Sequence, residues 1–170
     1  MRIISGSNKG KKLIMPNDKT TRPLKDMAKE SIFNILAHAK YINFHLKDCK
    51  VLDLFSGIGS FGLECISRGS KFVFFLENYS PVLEVLRNNI ANLKYENKSK
   101  VINIDAFKIN KNTFKIDQKF QIIFCDPPYK EKKIELLIKK IIEMDILEKD
   151  GIVIIHRKKG DLDNYPKKFK

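Results

Sequence analysis

From Lys50 onward the chain repeats one pattern that few folds can satisfy: a short apolar run with almost no polar alternation, a turn, then a segment of helical spacing. The strand-like runs are residues 51–55, 72–76, 101–104, 120–125 and 152–155; the helical ones are 61–67, 82–93 and a segment near 134–144. A strand that is apolar on both faces must be covered on both, which requires a parallel sheet between helices. The expected fold class is therefore α/β, an open, doubly wound, mostly parallel sheet whose ligands sit at the carboxyl ends of its strands. A length of 170 residues leaves room for one such unit and a small appendage.

Residues 1–47 lack the pattern, so the chain divides into an N-terminal extension, 1–47, and a main unit, 48–170. Ile3-Ile4 and Leu13-Ile14 flank a polar stretch with Gly6 and Gly10, which reads as a small hairpin with a basic tip. Residues 16–23 read as loop. Asp26 is placed to cap a helix whose apolar residues Met27, Ile32, Phe33, Ile35 and Leu36 fall mainly on one face before Lys40.

Charge singles out the same extension. The chain carries 33 Lys and Arg against 20 Asp and Glu, a net +13. Residues 1–40 hold nine basic and three acidic side chains and residues 156–170 hold six and two, so the excess lies at the two ends. A polyanionic partner such as RNA accounts for this. So does the composition of an AT-rich coding sequence, since the basic residues are 28 Lys and 5 Arg. Cys49, Cys65 and Cys125 are odd in number and widely spaced, which suits reduced, mostly buried thiols and no metal site. No run approaches the roughly eighteen apolar residues of a membrane span, and Met1-Arg-Ile-Ile-Ser-Gly contains no apolar signal core. A cytoplasmic protein with no membrane partner is expected.

The first core strand runs into Asp53-Leu-Phe-Ser-Gly57-Ile-Gly59-Ser-Phe-Gly62, a formal GxGxxG. Such glycines serve positive φ and close approach of a ligand to the backbone. Glu77, at the end of the second strand, is positioned for the two hydroxyls of a ribose. These features suit NAD and S-adenosylmethionine equally. Asp53 separates them: a pyrophosphate wants helix amides without a nearby carboxylate, whereas a sulfonium and an ammonium favour one. Asp105, after the third strand, has two readings, an acceptor for the adenine amine with Ala106 donating its backbone N–H, or a turn cap.

The fourth strand ends in Asp126-Pro127-Pro128-Tyr129, the strongest signal in the chain. Two prolines fix φ and donate no N–H, which makes a rigid loop with free carbonyls. An exocyclic base amine is a poor nucleophile because its lone pair is delocalised into the ring. Acceptors on its N–H bonds, here the Asp126 carboxylate and the Pro127 carbonyl, draw the nitrogen toward a tetrahedral form. Tyr129 supplies a flat surface on which an extruded base can stack.

Taken together, these residues resemble the bacterial small-subunit ribosomal RNA guanine-N2 methyltransferases, a class I Rossmann-like family acting on 16S-type RNA. The similarity extends over nearly the whole chain. It includes Lys9-Gly10-Lys11-Lys12-Leu13, Thr21-Arg22-Pro23, Ser31-Ile-Phe33-Asn34, Val51-Leu-Asp53-Leu-Phe55-Ser-Gly57, Gly62-Leu-Glu64, Phe75-Leu-Glu77 and Asp126-Pro-Pro-Tyr129. It implies that Asp53, Gly57, Gly59, Glu77, Asp105 and Asp126 line the pocket for S-adenosylmethionine, whose product is S-adenosylhomocysteine. Phe55, Ser56, Asn78 and Ala106 are assigned to the same pocket, and Asp126, Pro127 and Tyr129 present the guanine. The extension, through Arg2, Lys9, Lys11, Lys12, Arg22 and Lys25, would hold small-subunit RNA, free or within a 30S particle, and the protein would act as a monomer. The chain departs from the family in three places. Met27 replaces one of two basic residues, leaving Lys29. His156-Arg157 stands where the family has Glu-His, and no role is assigned to it. The family continues into a closing pair of strands whereas this chain ends at Lys170, so an open carboxyl-terminal sheet edge is expected.

Other readings remain. A DNA amino-methyltransferase uses a related loop, commonly with Asn or Ser at the position of Asp126, but usually carries a separate target-recognition region. A non-catalytic RNA-binding module would keep the fold and lose the cofactor. A dehydrogenase is disfavoured by Asp53 and by His38, His45 and His156 being scattered along the chain.

Overall fold

The computed structural model describes residues 1–17, 24–128, 131 and 133–157. Five strands form one parallel sheet: β1 (Lys50–Asp53), β2 (Phe72–Glu77), β3 (Ser99–Asn103), β4 (Phe120–Cys125) and β5 (Leu147–Ile155), in the order β3-β2-β1-β4-β5. The order reverses beside β1, so the β1 and β4 ends flank the crevice where such sheets take ligands. Helices α1 (Asp26–His38), α2 (Ser60–Ser67), α3 (Ser80–Asn92) and α4 (Ile134–Glu143) complete the fold.

Period two along the strands divides the core into two layers. Val51, Val73, Phe75, Ile122 and Phe124 pack with the hairpin, α1, α2 and α3; Leu52, Leu76, Ile123 and Cys125 pack with α4 and with Ala106, Ile109 and Phe114. Both faces of the sheet are thus covered, which is what unalternating apolar strands require. Ile3, Leu13, Leu24 and Phe33 are buried in the first layer, so the extension 1–47 shares the core of the main unit.

The hairpin is antiparallel, with an Arg2–Lys12 bridge and Ile3 N–H donating to Lys11 O at 2.9 Å. Its turn is seated on the protein, not free. Gly6 (φ +85°) packs so closely on the α2 terminus that a Cβ would lie 1.9 Å from Ser67 O. Ser7 N–H donates to Ser67 O at 2.7 Å and Asn8 N–H to Ser67 Oγ at 3.0 Å, satisfying groups that a helix end leaves open. Lys9, Lys11 and Lys12 stay exposed.

Three expectations change. Lys25, not Asp26, is the N-cap of α1, and it makes no side-chain cap; Asp26 sits in the first turn, where its charge suits the helix dipole. Met27 and Ile35 are 77% and 52% exposed, because spacings of four and eight put them on one stripe with Ser31, away from buried Lys29 and Phe33. β5 begins at Leu147 instead of residue 152, crossing Lys149 and Asp150 where its register against β4 shifts between Phe120 and Ile122. The expected open edge beyond β5 falls mostly on 158–170, and Arg22 and Tyr129 likewise lie outside the described residues. Cys49, Cys65 and Cys125 are free and buried. Among the described residues no helix is long and apolar enough to cross a membrane.

Candidate active site

The carboxyl ends of β1 and β4 open into one cleft lined by Leu24, Asp53, Phe55, Ser56, Gly57, Ile58, Ser60, Phe61, Phe124 and Asp126. The parallel pairing of β1 with β4 makes this unavoidable: Asp53 is in register with Phe124, so the two acidic loops leave the sheet side by side. Stacked rings stiffen the apolar side, with Phe61 on Phe124 at 3.9 Å and Phe33 on Phe61 at 5.3 Å between centroids.

Asp53 is 1% exposed. Its Oδ2 accepts the Gly62 N–H at 3.1 Å, while Oδ1 has no partner. Burial pushes this carboxyl up to about 8, the Gly62 bond opposes the shift, and Asp126 and Glu77 add to it. A buried acceptor with an empty lone pair on a cleft wall is what a cationic ligand group would satisfy.

The glycine turn is held from beneath. Ser56 Oγ lies 2.9 Å from Asp53 O and 3.0 Å from Leu76 O and shares its one proton between them, so this side chain ties β1 to β2. Glu77 Oε2 accepts Gly57 N–H at 2.8 Å, and Oε1 accepts from Asn78 and Tyr79 N–H, each at 2.9 Å. Three of about four lone-pair sites are occupied, so Glu77 is as much a clamp on the turn as a ribose acceptor. Gly57 (φ +52°) has open space where a Cβ would stand, which leaves its backbone approachable; Gly59 (φ +86°) is the buried N-cap of α2. Asn78 is exposed beyond β2. Asp105 is a cap: its Oδ1 accepts Phe107 N–H at 2.9 Å, opening a short 3-10 turn at Ala106–Lys108 that lies outside the cleft lining.

Asp126, in the same lining, is partly buried, its carboxyl raised by burial, and its Oδ1 lies 2.8 Å from His156 Nδ1. The His156 hydrogen bond and charge hold the shift down. Pro127 is buried. The Pro128 carbonyl accepts Glu131 N–H at 2.9 Å, so this carbonyl is not free as the two prolines suggest.

Two residues escaped the sequence reading. His156 had no assigned role, because only the pairing of Cys125 with Ile155 reveals that it follows its strand beside Asp126. Lys29 is fully buried, so it makes no RNA contact: its Nζ donates to Arg2 O at 2.8 Å and lies 3.8 Å from both Asp26 Oδ1 and Glu64 Oε2. A basic residue four positions before buried Phe33 was the available signal. Of the proposed RNA contacts, Arg2, Lys9, Lys11, Lys12 and Lys25 are all exposed.

The family described as Conserved hypothetical protein 95 matches residues 1–170. YlbH of Bacillus subtilis is 35% identical over 91% of this chain and 80% of its own. The ribosomal RNA small subunit methyltransferase D of Haemophilus influenzae is 34% identical over 94% of this chain and 79% of its own. Among solved structures, yhhF of Escherichia coli superposes with a TM-score of 0.79 at 28% identity, covering 98% of this chain and 86% of that one.

Proposed function

The chain belongs to the Conserved hypothetical protein 95 family, whose Rossmann-like members include ribosomal RNA methyltransferases, and we propose that it methylates the exocyclic N2 of one guanine in small-subunit ribosomal RNA. Its methyl donor is S-adenosylmethionine. The observation that carries the reading is the single cleft lined by both Asp53, whose Oδ1 is unpartnered, and Asp126.

When bound, the donor supplies an electrophilic methyl group on a cationic sulfur. Asp53 would hold its ammonium, the orphaned oxygen gaining the partner that it lacks. Glu77, Gly57 and Ser56 keep the turn that carries this site in one conformation. Asp126 would accept an N–H of the guanine amine, with the Pro127 carbonyl as second acceptor, drawing the nitrogen toward a tetrahedral, more nucleophilic form. Tyr129 stacks on the base. Phe61, Phe124 and Leu24 give the cleft a dry wall, which strengthens each of these contacts. Asp105 would accept the adenine amine through the oxygen that does not cap Phe107 N–H, with Ala106 donating its backbone N–H. The extension 1–47 would grip RNA through its exposed lysines while 48–170 does the chemistry, as a monomer acting on RNA or on a 30S particle.

A tritiated-methyl assay on unmethylated 30S particles, protein-free small-subunit RNA and duplex DNA, followed by nucleoside analysis, tests this. Label in N2-methylguanosine is the expected result. Label in DNA, or in another base, would replace the proposed substrate.

A further inference from the structure

Asp126 is asked to accept a hydrogen bond from a neutral amine, and for that it has to be ionised and fixed in one rotamer. Its site opposes both: the side chain is only 20% exposed, burial raises its carboxyl, and the residues that line the cleft with it include no cation. What counters this is His156. The β4–β5 ladder pairs Cys125 with Ile155, and His156 N–H donates to Cys125 O at 2.9 Å, so the imidazole is delivered beside Asp126 by backbone geometry. Its Nδ1 then lies 2.8 Å from Oδ1, within the range of a charge-assisted hydrogen bond.

We propose that His156 is a positioning residue for the reaction: it donates its Nδ1–H to Asp126 Oδ1, holding the carboxylate ionised and in a single orientation with Oδ2 left to receive the base amine. The proposal rests on the methyl-transfer reading above. The titratable groups beside Asp126 are Asp53 from the β1 end, the neutral Cys125 thiol, raised by burial on β4, and His156 after β5. Burial opposes ionisation of Asp126, whose charge in turn raises Asp53, and the hydrogen bond and charge of His156 favour it.

The test is the titration of the Asp126 carboxyl, followed by carbon-13 NMR and assigned with Asp126→Asn, in the intact cofactor-free protein. His156→Ala is expected to move the midpoint up by about one pH unit, the size of one hydrogen bond to a charged group. His156→Asn, whose amide nitrogen falls near the position of Nδ1, is expected to recover most of that shift. His156→Phe keeps the ring volume without the donor; it should behave like Ala and serves where Ala does not fold. The acid limb of kcat should move with the carboxyl while the Kd for S-adenosylmethionine stays constant. An unmoved carboxyl in both donor-free variants overturns the proposal. If the carboxyl moves as expected but the wild-type protein methylates no RNA, the methyl-transfer reading fails and the His156–Asp126 pair stands.

Discussion

Asp53 and Glu64 are carboxylates buried to the same degree, 1% and 0% exposed, one at the end of β1 and the other within α2. Their surroundings differ. Glu64 accepts from Ile4 and Ser5 N–H at 2.7 and 2.9 Å, pairs with Arg68 Nε at 2.7 Å and faces Lys29 at 3.8 Å. Asp53 has Gly62 N–H and nothing on its second oxygen, and its carboxyl is pushed up to about 8. A buried charge whose partners all come from the chain is part of the fold. One whose partner is missing marks where a ligand completes it. The same contrast separates two regions of one core layer: the hairpin is closed by its own hydrogen bonds, and the cleft at the carboxyl ends of β1 and β4 is left unfinished.

The largest effect should follow from breaking the finished site. Glu64→Gln turns an amide N–H toward the Ile4 or Ser5 N–H and removes the negative charge facing Lys29, whose burial already lowers its own proton affinity. Denaturant titration should show a loss of about 3–5 kcal/mol, moderated if Lys29 neutralises. Stability within about 0.5 kcal/mol of wild type would erase the distinction drawn between the two carboxylates. At the unfinished site the order is reversed. Asp126→Asn should leave the melting curve and cofactor Kd nearly unchanged while lowering kcat by about 10²–10³, as for the loss of one preorganised polar contact to the reacting group. Equal losses in Kd and kcat would move Asp126 to the cofactor side of the cleft.

Asp53 sharpens the comparison through pH. Its folded value of about 8 exceeds the ordinary 3.8, so between these limits the native chain holds a proton that the unfolded chain has released. Stability of the ligand-free protein therefore falls as pH rises through this window. An ammonium prefers the ionised form, so cofactor affinity should rise with pH, by at most about tenfold per unit, until the ligand amine itself begins to lose its proton near pH 8. Asp53→Asn should abolish that slope and weaken binding at pH 8 by about tenfold, read by calorimetry at three pH values. A wild-type Kd that is flat from pH 6 to 8 would remove the ammonium from Asp53.

Much of this was legible in the residues. Unalternating apolar runs required two covered faces, and Val73 and Leu76 do fall into different layers. Asp53, Gly57 and Asp126 were recognisable because local chemistry restricts what can stand before a glycine turn or a proline pair. The start of β5 was not, since Glu148, Lys149 and Asp150 interrupt the apolar pattern and the ladder with β4 holds them. Neither was His156, whose meaning depends on the register of two strands, nor Glu64, whose partners come from the hairpin, α1 and its own helix. Residues that act through neighbours distant in sequence carry no local signal.

The hairpin carries the smallest and most specific expectation, because its inner and outer surfaces divide as the two carboxylates do. Inside, Ile3 and Leu13 are buried, and Asn89 accepts Ile14 N–H at 2.7 Å while its amide donates to Ile14 O and Ile58 O, each at 3.1 Å. Outside, Lys9, Lys11 and Lys12 are exposed, and only their backbones take part in the hairpin's hydrogen bonds. Replacing all three with Gln should therefore leave stability within about 0.5 kcal/mol of wild type. If these lysines meet phosphates, RNA affinity at moderate salt should fall and the slope of log K against log salt should flatten by up to about three times the single-strand value of roughly 0.7 per contact. An unchanged slope with an intact fold would mean that the hairpin serves only its inner surface, and that RNA is gripped elsewhere on the molecule.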